Sequence, residues 1–137
     1  MTDESTGADD RLSGDRSLGD IASSLKSTLK ADLGETLVGL ASYEDGGYDV
    51  LYRDEAASAQ YASSDIQAIL EHIQLEAIGT PVYEEYHGES LHATVRVYDT
   101  LGTITVPVEE TAGLVVVVRN DGTHNPYSII ETAENAV

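Results

Sequence analysis

The side chains most able to do chemistry are concentrated between positions 82 and 99, in the stretch VYEEYHGESLHATVRVYD. It holds three tyrosines, two histidines, three glutamates, one arginine and one aspartate. Acid–base catalysis needs two titratable groups held in one pocket with different pKa values. Glu84 and Glu85 are adjacent, so in an extended chain their side chains point to opposite faces and only one can serve a given site. The chain also lacks a G-x-S-x-G nucleophile elbow and a phosphate-binding loop. We therefore predict that the protein is not an enzyme.

Metal binding is the second chemistry that this stretch suggests. A zinc site on a helix uses two histidines about four residues apart together with a third ligand. His72 stands alone, and His87 and His92 are five residues apart across an expected change from loop to strand. Glu84, Glu85 and His87 could hold a hard cation only weakly. We predict no specific metal site and no cofactor.

Binding without catalysis is the interpretation that remains for these side chains. Tyrosine combines a large apolar body with a polar tip, which suits sheet edges and interfaces. The alternative is that the tyrosines are the large fillers of a core that has no Phe or Trp. For Glu76 the simpler hypothesis is an ion pair with Arg96 or a solvated helix end. The candidate residues for a ligand site or an interface are Glu76, Tyr83, Glu84, His87, His92, Arg96 and Tyr98.

The net charge indicates the salt conditions in which the protein works and the class of partner that it can bind. Asp and Glu number 25 against 7 Lys and Arg, which gives a formal charge of -18. Self-repulsion of this size destabilises a compact chain, and molar salt removes most of it because the Debye length falls to about 3 Å. The acids are dispersed, which favours adaptation to high salt over the alternative of docking onto a basic partner. Nucleic-acid binding is not expected, because Lys and Arg clusters are absent.

The cellular compartment is predicted from the lack of a membrane span, a signal peptide and cysteines. No apolar run approaches the ~20 residues of a membrane span, and the acidic N-terminus does not resemble a signal peptide. There are no cysteines, so no disulfide framework is expected. We predict a soluble cytoplasmic protein without membrane insertion. Residues 1–16 carry no periodic apolar pattern and are expected to form a disordered acidic tail, followed by one domain over residues 17–137.

The first half of the domain is predicted to contain two helices and a hairpin. Ser17 and Asp20 resemble a capping box before a helix that ends near Gly34. Strands at about 36–43 and 47–53 flank the turn EDGG. In the second strand Tyr48, Val50 and Tyr52 are expected on one face, with Asp49, Leu51 and Arg53 on the other. A second helix follows a Ser64/Gln67 capping box, is ended by Gly79 and Pro81, and carries an apolar stripe at Ile66, Ile69, Leu70, Ile73 and Ala77.

The second half is predicted to contain three strands and a helix. In LHATVRVYD the residues Leu91, Ala93, Val95 and Val97 should face inward. In TITVPVEE an apolar face is formed by Ile104, Val106 and Val108, and Pro107 indicates an edge position or a bulge. The run LVVVV is typical of a central strand covered on both faces. Asn125 should cap a final helix that has Pro126 at its first position.

These elements predict the fold class. The order is α-β-β-α-(β)-β-β-β-α, where the bracketed element is a tether over residues 82–90. Short connections imply antiparallel pairing, so we expect an α+β domain with a single antiparallel sheet of about five strands and helices on both faces. This order resembles the roadblock/LC7, longin and profilin-like superfold. The resemblance implies dimerisation or the scaffolding of small GTPases.

Two segments also resemble a small, uncharacterised protein family of halophilic archaea. They are YDVLYRDE (48–55) and LHATVRVYD (91–99), with LEAIG and EEYHG between them, and the likeness covers about residues 18–122. It implies organism, compartment and architecture. Together these observations predict a homodimeric, non-enzymatic scaffold or regulatory module. The alternative is a small-ligand sensor that binds in a groove between the sheet and the 82–90 tether, using Tyr83, His87, Arg96 and Tyr98.

Overall fold

The computed structural model describes residues 17–137, so the predicted tail over residues 1–16 lies outside the described residues. Five helices and five strands follow one another, with a short 3-10 turn at Gly34–Thr36. The helices are α1 (Leu18–Leu33), α2 (Glu55–Gln60), α3 (Ser63–Ala77), α4 (Thr80–His87) and α5 (Pro126–Ala136). The strands are β1 (Leu37–Glu44), β2 (Gly47–Arg53), β3 (Thr94–Val97), β4 (Leu101–Glu109) and β5 (Ala112–Arg119).

The five strands form one antiparallel sheet in the order β2-β1-β5-β4-β3. The continuous apolar run of β5 lies at the centre, as predicted, because only a strand covered on both faces can bury Leu114, Val115 and Val116 together. The register between β4 and β5 shifts between Pro107 and Glu109, and β3 pairs only with residues 102–105 of β4. Pro107 therefore lies past the end of β3, beside an irregularity, where a missing N–H is tolerated.

Helices α1 and α5 cover one face of the sheet. The α1 stripe of Leu18, Ile21, Leu25 and Leu29 is buried, and Ile129 and Ala133 of α5 pack into the same core. Ser17 and Asp20 form the predicted capping box, and Gly34 ends α1 with a positive φ of 56°. In α5 the Asn125 side chain accepts a hydrogen bond from the backbone N–H of Tyr127, with Pro126 opening the helix as predicted.

Helix α3 lies over the opposite face, which gives the predicted three layers. Leu70 is buried against Ala41 and Val115 of the sheet. The rest of the predicted stripe is less buried than expected: Ile66 and Ile73 are half-buried, and Ile69 is 45% exposed. The predicted Ser64/Gln67 capping box is wrong, because α3 begins at Ser63 and the Asp65 carboxylate accepts from the N–H of Ala62.

The 82–90 tether is helical, which corrects the extended segment in the predicted order. Helix α4 has Pro81 in its first turn and ends at Gly88, which adopts a left-handed φ of 70°. Proline at the start and glycine after the end are ordinary helix boundary signals. The sequence predicts that Gly79 and Pro81 end the helix before them. In the structure they also begin α4, with Gly79 as its N-cap and Pro81 in its first turn.

The predicted faces of β2 are wrong after Val50. Tyr52 lies opposite Leu40, and Val50 lies opposite the next residue of β1, Ala41, so Leu51 is an extra residue in a β-bulge. Because opposite residues share a face, Tyr52 points towards α1, where the Lys30 ammonium lies 4.7 Å from its ring centroid. Arg53, opposite Gly39, returns to the α3 face beside Val50.

Among the described residues, no helix is long and apolar enough to cross a membrane.

Candidate functional site

Strand β3 ends the sheet and leaves a backbone edge without a neighbouring strand among residues 17–137. The Tyr98 N–H donates to the carbonyl of Leu101 at 2.7 Å. Hydrogen-bonded pairs alternate along an antiparallel ladder, so Thr94 and Arg96 bond to β4 in the same register. The backbone groups of Val95 and Val97 therefore point away from β4, towards the open edge.

The side chains of Val95 and Val97 are on the predicted face but are not buried as predicted. Val95 lies opposite Ile104, a core residue on the α1/α5 side. Nevertheless Val95 is 41% and Val97 69% exposed, because α1 packs mainly on β1 and β2 and α5 packs on β4. The regular strand is also shorter than predicted, since Leu91, His92 and Ala93 precede it.

Exposed apolar side chains are concentrated in the segment that leads into this edge. Of the large apolar residues that are exposed in the described chain, all but Tyr48 and Tyr127 lie between positions 69 and 98. They occur on α3, α4 and β3 or directly after them, at Ile69, Leu75, Ile78, Val82, Tyr83, Tyr86, Val95, Val97 and Tyr98. These residues are consecutive along the chain but lie on both sides of the sheet, since Val95 and Val97 face the α1/α5 side and α3 covers the other. We call this set, together with the open backbone of β3, the edge surface.

An open groove of about 820 Å³ lies between α3 and the sheet. Its floor includes Val50, Val115 and Val117, and its roof includes Ile66 and Ile73. The helix meets the sheet closely at Leu70, whereas these neighbouring side chains remain only partly buried. The groove therefore lies between two apolar layers that contact each other closely at Leu70 and less completely at Ile66 and Ile73.

Arginines stand at two positions of the groove. Arg96 forms an ion pair with Glu76 of α3, which is one of the two alternatives given for Glu76, and both side chains are about half exposed. Exposed pairs of this kind contribute about 0–1 kcal/mol. Arg53 lines the groove from the end of β2, and no ion pair or hydrogen bond of its side chain occurs within the described part of the chain.

The structure brings together three of the seven predicted site residues. Glu76, Arg96 and Tyr98 line the groove. Tyr98 is exposed, and its carbonyl accepts from the Asn120 side chain at 2.8 Å. Whether these three residues bind anything remains a prediction.

The other four predicted residues lie outside the groove lining. The Glu84 carboxylate accepts from the Leu91 N–H at 2.7 Å, which fixes the chain after α4. His92 Nδ1 lies 2.6 Å from a Glu134 carboxylate oxygen on α5. Tyr83 and His87 are exposed on α4. Tyr83 and His87 are four residues apart and share one face of α4, but neither lines the groove, so their role in the sensor alternative stays a prediction.

Among residues 17–137, the pKa values of Tyr43 and Asp121 are shifted, and both shifts have structural causes. Burial raises the pKa of Tyr43, whose ring lies over Gly113 on the α3 face of the sheet. Hydrogen bonds from the hydroxyl and backbone N–H of Thr123 lower the pKa of Asp121, which also accepts from the Thr36 hydroxyl. The Asp121 contacts connect the loop before α5 to the turn before β1.

The described residues contain no group of three or more His, Asp or Glu side chains arranged to hold a metal ion. The edge surface presents an open strand edge and exposed apolar side chains, and the groove is an apolar cleft lined by two arginines and two carboxylates.

Sequence reasoning missed Arg53 and the groove lining. Strict alternation along β2 placed Arg53 with Leu51 on the face away from Val50, and the bulge reverses that assignment. Helix α2 was missed as well, although Asp54 gave a signal: its carboxylate accepts from the Ala57 N–H at 2.8 Å and caps the helix.

Several solved structures have a similar fold. MglB of Myxococcus xanthus matches with a TM-score of 0.61 at 14% identity, covering 88% of this chain and 94% of that one. The gliding protein MglB of Thermus thermophilus has a TM-score of 0.60 at 20% identity, covering 88% and 90%. A structure described as MglB with tetrameric arrangement has a TM-score of 0.55 at 18% identity, covering 88% and 96%. These likenesses confirm the predicted roadblock/longin-like fold.

Sequence comparison gives the family. No curated protein shows significant sequence similarity to the chain. A family model described as a domain of unknown function, DUF7522, matches residues 23–137, which run from α1 through the whole sheet to the end of α5. The chain therefore belongs to the DUF7522 family.

Proposed function

We propose that the protein is a non-enzymatic interaction module that self-associates through its edge surface, and that it serves as a scaffold or regulator. The observation that carries the proposal is the open edge of β3. Val95 and Val97 there combine outward-pointing backbone groups with exposed apolar side chains. An uncovered strand edge is a template for pairing with another strand, and proteins normally block it with charges, proline or a covering element.

A second copy of the chain is the partner that this edge fits best. Two identical edge strands can pair antiparallel about a two-fold axis, so that one surface supplies both sides of the contact. Such pairing would extend the sheet across the interface. The MglB structure with a tetrameric arrangement supports the proposal by showing that this fold is compatible with assembly.

The net charge sets the conditions under which self-association should occur. Two copies with a formal charge of -18 each repel one another at low ionic strength. Molar salt screens that repulsion and strengthens apolar burial. We infer that the protein works in high salt, as in the cytoplasm of a halophilic archaeon. A basic partner would behave differently, because its attraction to this chain would weaken as salt rises.

Replacing Val95 with proline tests the edge-pairing proposal. Val95→Pro removes an N–H that points away from β4, so the ladder within one copy keeps its hydrogen bonds while the outer edge loses a donor. We expect the variant to remain folded by circular dichroism and to be monomeric in at least about 1 M KCl, where wild-type protein forms a dimer by size exclusion with light scattering.

The matched control is Val95→Thr, which keeps both the N–H and a β-branched side chain. It should retain most of the dimer, because strand pairing depends mainly on the backbone edge. If the folded Val95→Pro variant dimerises as well as Val95→Thr does, the β3 edge is not the interface and the proposal is wrong.

A further inference from the structure

The groove between α3 and the sheet has the size and lining of a ligand site. Small-molecule pockets typically enclose about 300–1,000 Å³ and are mainly apolar with a few polar groups. This groove encloses about 820 Å³. Its apolar walls are incompletely buried, with Ile69 45% exposed at the roof, although a helix packed on a sheet normally closes such a gap.

The groove lining carries two arginines, Arg53 and Arg96, and two carboxylates, Glu76 and Asp99. The described residues include five Lys and Arg side chains in a protein whose formal charge is -18, and two of them, Arg53 and Arg96, line the groove. Arg96 is neutralised by Glu76, whereas Arg53 has no ion pair with any described residue. Arg53 is exposed, and its guanidinium is the groove cation that no described carboxylate neutralises, which makes it the group available to an anion.

The backbone next to Arg53 leaves the groove open at this end. Gly39 lies opposite Arg53 on the same face of the sheet. A Cβ at Gly39 would come within 3.4 Å of the Tyr52 carbonyl oxygen and 3.7 Å of the Val117 side chain. Glycine at this position leaves the groove floor beside the end of β2 without a side chain.

From this juxtaposition we propose that the groove binds an amphipathic anion. Its aliphatic chain lies between Ile69 and Ile73 of α3 and Val117 of the sheet, and its anionic head, a carboxylate or a phosphate, is bound by Arg53. A guanidinium donates two parallel hydrogen bonds to either head group. The proposal does not depend on pairing through β3, since the groove is formed within one copy of the chain.

Titration calorimetry of the full chain with decanoate, decyl phosphate and neutral decanol tests the proposal. The two anions are used below their critical micelle concentrations, and decanol is used below its solubility limit. We expect at least one of the two anions to bind the wild type. Arg53→Gln, which keeps a polar side chain but removes the charge, should weaken that binding about tenfold or more, because a charge-assisted hydrogen bond is lost. The comparison of decanoate with decyl phosphate identifies the head group.

Lys26→Gln on α1 is the matched control, because it removes the same charge from the opposite side of the sheet and should leave binding unchanged. Decanol should bind more weakly than the anions and should be insensitive to Arg53→Gln. The monomeric Val95→Pro variant should bind the anion like the wild type, which separates this proposal from the proposed self-association. Absence of anion binding, or equal losses in Arg53→Gln and Lys26→Gln, would overturn it.

Discussion

Tyr43 and Gly113 show how closely the sheet is packed at the level of single residues. They lie opposite each other on β1 and β5, and the tyrosine ring occupies the space above the glycine. A Cβ at Gly113 would lie 2.5 Å from the Tyr43 hydroxyl oxygen and 2.7 Å from Cζ. Tyr43 is 2% exposed, so its ring has little room to move. Glycine at this position is therefore required by packing.

We expect Gly113→Ala to lower the free energy of unfolding by about 1–3 kcal/mol, the usual cost of overpacking a buried site. Denaturant unfolding in high salt measures this change in the free energy of unfolding. The control is Gly102→Ala on β4, where the added Cβ would meet only ordinary contacts, at 3.5 Å from the Arg96 carbonyl oxygen and 3.6 Å from Val118. Equal losses in the two variants would show that the Tyr43 contact is not the cause.

Sequence reasoning placed several individual residues correctly where a signal was local. Ser17, Gly34, Asn125 and Pro126 occupy the helix boundaries predicted for them. These positions were predictable because capping is satisfied within three or four residues. Arg53 was not predictable in the same way, because its face depends on a bulge that is defined only by the register with β1.

At the scale of elements, Asp54 joins α2 to the central strand. Its carboxylate caps α2 through the Ala57 N–H at 2.8 Å and also forms an ion pair with Arg119 at the end of β5. Arg119 donates in addition to the Glu35 carbonyl at 3.0 Å, in the turn before β1. One side chain thus fixes the start of a helix whose own six residues provide little stability.

Asp54→Ala should lower the free energy of unfolding by about 1–2 kcal/mol, chiefly through the lost cap, since the Asp54 carboxylate is largely shielded from water. Thermal unfolding in molar salt gives the value. Asp49→Ala on β2 removes an equal charge from an exposed position and should change stability little. If Asp54→Ala and Asp49→Ala lower the free energy of unfolding equally, the cap and the ion pair of Asp54 do not contribute measurably to stability.

Elements were predicted well where apolar periodicity was strong and poorly where it was weak. The stripes of α1 and the alternation of β4 gave the correct type and the correct buried face. The segment around Tyr83 and Tyr86 has little apolar periodicity, and its helix is recognisable only from Pro81 and Gly88 at its ends. Val95 and Val97 alternate like core residues, but whether a helix covers them is a tertiary property.

At the scale of the whole molecule, the order of elements was enough to predict a three-layer α+β fold of the roadblock/longin type. A continuous apolar run must lie between two covering layers, which places β5 at the centre. The groove was not predictable, because periodicity indicates which face of α3 is apolar but not how far that face stands from the sheet. The proposed functions depend on the two places where apolar surface is left uncovered, namely the edge surface and the groove.

The central claim is that two copies associate through the β3 edge once their charge is screened. Light scattering of the wild-type chain at micromolar concentration tests it most directly. The measurement compares about 0.1 M with about 1 M KCl, across which the Debye length falls from about 10 Å to about 3 Å. The account predicts that the molar mass rises with salt from 14.6 kDa towards twice that value. A mass of 14.6 kDa at both salt concentrations, or a dimer that dissociates as salt rises, would contradict it.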